Sequence, residues 1–91
     1  MKKIESVRTL TVGTSAQTAD LGGLAFLIEN NSDSADVYFK ESRADRTAAT
    51  AANGFRLGPG CALNTALTAE ELSLIASAAG TDVRLLILDE L

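Results

Sequence analysis

The sequence predicts an all-β chain: a small antiparallel β-sandwich or jelly-roll-like barrel, one domain over residues 1–91, with at most one short helical turn. Three observations predict it. Short segments of period-two or β-branched character recur along the chain, and clusters of Gly, Pro, Asn, Asp and Ser punctuate them. The apolar complement is aliphatic: 46% of the 91 residues are hydrophobic, yet there is no Trp, three Phe and one Tyr. A chain this short buries only about 60–65% of its unfolded surface, and without aromatic bulk or staples it gains stability by associating.

"SVRTLTV", Ser6–Val12, is β-branched and ends at Gly13, which favours a first strand. "GTSAQTADLGG" then reads as loop. Leu24, Phe26 and Ile28 alternate with Ala25, Leu27 and Glu29, giving a strand with one strongly apolar face. "NNSDSA" ends it with side-chain-to-backbone turn formers. In "DVYFKE", Val37 and Phe39 point one way and Asp36, Tyr38 and Lys40 the other, so the two runs suggest an antiparallel hairpin. "SRADRTAATAAN", residues 42–53, has no large apolar residue and reads as an exposed excursion. In "GFRLGPG", Pro59 and Gly60 suit the two central positions of a type II turn. Cys61, Leu63, Thr65 and Leu67 alternate with Ala62, Asn64 and Ala66 as a further strand.

"LTAEELSLIASAAGTDVRLL" admits two readings. As a helix from Thr68 to Gly80 it has a capping box in Thr68 and Glu71, a staple in Leu67 and Leu72, and a C′ glycine. As a strand, Leu72, Leu74 and Ala76 share one face while Ser73, Ile75 and Ser77 take the other. Context favours the strand, preceded by a helical turn at Ala69–Glu71, because "AAGTD" suits a hairpin loop and "VRLLIL" needs neighbours on both edges. In that last strand Val83, Leu85 and Ile87 form one face, and Leu86 and Leu88 flank Arg84 on the other. The two-sided apolar character predicts that another subunit or a loop covers the outer face; a mixed surface without a partner is the alternative.

Twelve acidic and eight basic residues give a net charge of −4, and the basic ones are scattered. That distribution argues against nucleic acid as a partner. "MKKIESVRTL" lacks the apolar segment of a signal peptide, and no run approaches roughly 18 apolar residues, so no membrane partner is expected. "NNS" at Asn30–Ser32 matches a glycosylation pattern but reads as a turn. A single cysteine excludes an internal disulfide, and the absence of histidine removes the usual zinc sites and His-based acid–base chemistry.

Each group with chemical potential has a plainer reading. Glu70 and Glu71 are adjacent carboxylates that diverge in either secondary structure, so they read as an N-terminal charge pair or a solvated loop. Asp33 and Asp36, near Asn30 and Asn31, lack the glycine and distal glutamate of a calcium loop. Cys61 has no base beside it in sequence and reads as a small buried core residue. Gly22–Gly23 and Gly58–Pro59–Gly60 match no nucleotide-binding loop and read as bends. Tyr38 and Arg56 could serve a ligand surface, although a lone aromatic is a poor platform. No catalytic residue, cofactor site or metal ligand set is therefore assigned, and the chain is expected not to be an enzyme.

At "LAFLIENNSDSADVYFKES", "NGFRLGPGCALNTAL" and "ELSLIASAAGTDVRLLIL" the sequence resembles the small all-β structural proteins of tailed bacteriophages and prophages, over roughly residues 20 to 90. The alanine-rich stretch 44–52 has no counterpart. The resemblance implies a sandwich or jelly roll that assembles on a virion as a decoration, connector or fibre-associated part, with itself and other virion proteins as partners. It implies a location on the particle, or in the bacterial cytoplasm before assembly, and carries over no active-site residue. The competing expectation is a small module binding a carbohydrate or peptide through Tyr38 and the 42–53 loop.

Overall fold

The computed structural model describes residues 2–90. Eight strands follow one another: β1 (Lys2–Val12), β2 (Gln17–Asp20), β3 (Ala25–Asn30), β4 (Val37–Glu41), β5 (Phe55–Leu57), β6 (Leu67–Thr68), β7 (Glu71–Ala76) and β8 (Thr81–Glu90). They form two antiparallel four-stranded sheets, A in the order β1-β8-β3-β6 and B in the order β2-β7-β4-β5. Every connection except β4 to β5 crosses from one sheet to the other. This interleaving of two Greek keys is the jelly roll. Among the described residues no helix forms.

The alternation read from the sequence sets the core. Phe26 and Ile28 of β3, Val37 and Phe39 of β4, Leu72 and Leu74 of β7, and Val83, Leu85 and Ile87 of β8 all point between the sheets and are buried. Strand β8 lies between β1 and β3, with Leu86 registered to Val7 on one side and Leu27 on the other. Its need for two neighbours is met inside the chain.

Several expectations are corrected. The strand reading holds at 71–76, but Ala69–Glu71 form no helical turn. Their carbonyls accept from the bend before β3: Leu21 N and Gly22 N donate to Glu70 O, and Gly23 N to Ala69 O. The two expected hairpins are instead corners, because β3 and β4, and likewise β7 and β8, sit in opposite sheets. Polar turn formers suit both geometries, and only the third dimension separates them. The expected strand at Cys61–Leu67 shrinks to β6 and a single bridge between Ala62 and Glu29. Strand β2 lies within the expected loop and β5 within the expected turn region. Each is a short edge strand; β2 offers only Ala19 as a buried inward residue.

Asn30 ends β3 as an inter-sheet clamp. Wholly buried, its Nδ2 donates to the carbonyls of Ala35 (2.8 Å) and Leu57 (2.9 Å), with Gly58 O at 3.0 Å. Its Oδ1 accepts from Ser32 N at 3.1 Å. The side chain thus turns the strand out of sheet A and ties it to the end of β5 in sheet B.

Candidate interaction surfaces

The two outer faces of the sandwich differ. On sheet B the 42–53 excursion folds back as a roof. Ala49, buried, donates its N–H to the buried Ser73 Oγ (2.9 Å) on the outer side of β7. Lys40 Nζ, on the same side of β4, donates to Asp45 Oδ1 (2.8 Å) and Oδ2 (2.9 Å) and also meets the Thr47 hydroxyl. Together with the Thr47 N–H, that lysine holds the Asp45 carboxyl down from 3.8 to about 2. Asn53 Oδ1 accepts from Thr50 N at 2.7 Å and its Nδ2 donates to Ala48 O, closing the far end. Gly54 then passes so near β4 that an added Cβ would lie 2.9 Å from Tyr38 Cβ.

Among the described residues sheet A has no such cover. Its outer side carries Val7, 60% exposed, beside half-buried Leu86 and Leu27, with Leu88 and Ala25 in the next register pair. These five side chains make an aliphatic band across three strands, bordered by Leu63. Polar groups gather toward one end. Glu29 is registered to Arg84, Arg84 pairs with Asp82 (3.2 Å), and Asn31 Nδ2 donates to Asp82 Oδ2 (2.9 Å). The Asn31 hydrogen bond, with help from Arg84, lowers the Asp82 carboxyl below its usual range.

A second feature was not foreseen from the sequence. Along the β5–β6 side the sheets part into a cleft of about 530 Å³, whose lining includes Phe26, Phe39, Phe55, Leu63, Leu67 and Leu72. Phe55 points inward from an edge strand yet is 57% exposed, and it meets Phe39 edge-on with ring centroids 5.7 Å apart. All three phenylalanines converge here. The sequence signal was their inward parity on β3 and β4; the missing piece was β5.

The residues weighed for chemistry scatter. Glu71 accepts the Ser42 hydroxyl (2.7 Å), whereas Glu70 is exposed and its Oε1 lies against Gly23. Asp36 pairs with Arg56 (3.2 Å) and Asp33 is exposed. Among the described residues no group of three or more His, Cys, Asp or Glu could hold a metal ion. Cys61 is exposed, correcting its expected burial, because the chain there runs along the edge of sheet A. Gly58–Pro59–Gly60 form the expected turn: Cys61 N donates to Gly58 O, and Gly60 has φ 70°. Tyr38 lies half-buried on sheet B between Ile75 and Arg56. No described helix is long and apolar enough to cross a membrane.

Fold and surface define the class: an eight-stranded jelly roll with one outer face roofed by its own chain and the other, among the described residues, without a roof. No protein-family model, no curated protein and no solved structure matches this chain.

Proposed function

We propose that the protein is a non-enzymatic structural subunit of a phage or prophage virion, a head decoration, connector or fibre-associated part that works through contacts with copies of itself and other virion proteins. The observation that carries this reading is the solvent-facing aliphatic band on sheet A, exposed Val7 beside half-buried Leu86 and Leu27, since contiguous apolar surface facing solvent marks interaction sites. The jelly roll lends support, being an architecture that capsid proteins share with lectins and cupins, although fold alone does not set function. The protein is held in the bacterial cytoplasm until it assembles. Light scattering on the size-excluded chain at high micromolar concentration tests the reading: multimers are expected, and monomer alone overturns it. Flanking genes encoding capsid, portal or tail components are the expected genomic setting.

A second reading, a binding module for an apolar peptide segment, draws on the phenylalanine-lined cleft, whose volume lies within the roughly 300–1,000 Å³ of ligand pockets. Titration with a peptide panel should then shift the NMR signals of Phe55 and Leu67, and silence removes the idea. A carbohydrate is poorly served, because Tyr38 is the lone aromatic on its face while all three phenylalanines point inward.

A further inference from the structure

We propose that a second copy of this chain covers the outer face of sheet A, the copies being related by a two-fold axis that runs along the strands midway between β8 and β3. The inference rests on the assembly reading above and adds the occupant and its geometry. Packed sheets keep their strands roughly aligned, and a symmetric pair requires a surface that complements itself. The register of β8 against β3 supplies that property. Along the outer face Asp82 neighbours Asn31, Arg84 neighbours Glu29, Leu86 neighbours Leu27 and Leu88 neighbours Ala25. Rotation about the midway axis lays each residue over its own sheet neighbour in the other copy. Arg84 then faces Glu29 of the second copy, Asp82 faces an asparagine amide, and Leu86 meets Leu27. Complementarity within the sheet becomes complementarity between sheets. Val7, one strand further out, falls toward the Leu63 border of the other copy.

Four features favour this occupant over an unrelated one. Among the described residues Glu29 forms no ion pair, although it is exposed and registered to Arg84. Arg84 uses one nitrogen on Asp82, and a guanidinium has further donors to offer a second carboxylate. The molecule is flat, 37 × 30 × 18 Å along its principal axes, so a broad side of it is of the order of the roughly 800 Å² per partner that a stable pair buries. Two chains of net charge −4 repel, so they meet best where apolar and oppositely charged groups oppose each other.

The test is sedimentation equilibrium on the full chain and three variants. The native chain should sediment at twice the monomer mass. Leu86→Lys should be monomeric with an unchanged far-ultraviolet spectrum. Glu29→Arg alone and Arg84→Glu alone each set like charges across the axis and should weaken pairing at least about tenfold. An equimolar mixture of those two should pair again, because each supplies the charge the other lost, while the repulsion inside each sheet remains. Self-association untouched by all three variants, or a mixture that stays monomeric, overturns this geometry and leaves the assembly reading standing. A native chain that is monomeric throughout overturns both. Should Leu86→Lys fail to fold, the charge-swap pair decides alone.

Discussion

Asn30 shows how much one side chain can hold together in a core made of aliphatic residues. Its amide reaches carbonyls from the β3–β4 corner and from the end of β5, and replacing it takes away the side-chain donor that both of these buried carbonyls accept from. Asn30→Ala should therefore lower unfolding stability by about 2–4 kcal/mol in a urea titration, since each buried group left unpaired costs roughly 1–3 kcal/mol. Asn30→Asp should cost more, because a carboxylate there faces carbonyl oxygens. In the sequence this residue was visible only as one of several turn formers in "NNSDSA". Its dominant role depends on Leu57, 27 positions away, which no local pattern reports. The inward identities of Phe26, Ile28, Val37, Phe39, Val83, Leu85 and Ile87 were all readable, because strand parity is a local property. Cys61 was misread for the converse reason: alternation says which side a residue takes, not whether another layer lies above it.

At the level of elements, the 42–53 roof is the part most exposed to experiment. Gly54→Ala places a methyl 2.9 Å from Tyr38 Cβ, 3.0 Å from Thr50 O and 3.1 Å from Phe39 N. Because two of these neighbours are backbone, the expected loss is about 1–3 kcal/mol, read from the denaturation midpoint. The roof should also loosen in acid. The Asp45 carboxyl falls from 3.8 to about 2 on folding, so the charged form stabilises the loop at all pH values above 3.8, and that contribution fades as pH drops from 3.8 through about 2. The Thr47 amide, which donates to Asp45, should shift over that window in NMR spectra, and Asp45→Asn should abolish the transition. From the sequence this stretch looked like an exposed excursion. Most of it is exposed, but its alanines allow close approach to sheet B, and Ala49 is buried there. Strands β3, β4 and β8 were readable from alternation and β7 only from its context; β2 and β5 were not, being short and lying at sheet edges.

For the molecule as a whole, the sandwich was predictable and the path of the chain through it was not. Composition and strand spacing point to layered sheets, whereas pairing between β1 and β8 joins the two ends of the sequence. Such pairings must close large loops before they stabilise anything, so refolding from urea should take milliseconds to seconds and not microseconds. Stopped-flow measurements of circular dichroism will show it. The two outer faces differ for the same reason of chain path: the longest connection among the described strands, between β4 and β5, lies over sheet B, whereas the β5–β6 connection runs along the edge of sheet A.

The pairing of Lys2 with Glu90 has a practical corollary for engineering. Backbone ends that already lie side by side can be sewn together with a few flexible residues, and a new start can be opened at the exposed stretch around Asn64 and Thr65, where few backbone hydrogen bonds are at stake. Such a circular permutant should melt as a single cooperative unit with the parent's spectrum. The same closeness would let the whole module be spliced into a surface loop of an unrelated host, entering and leaving at one point.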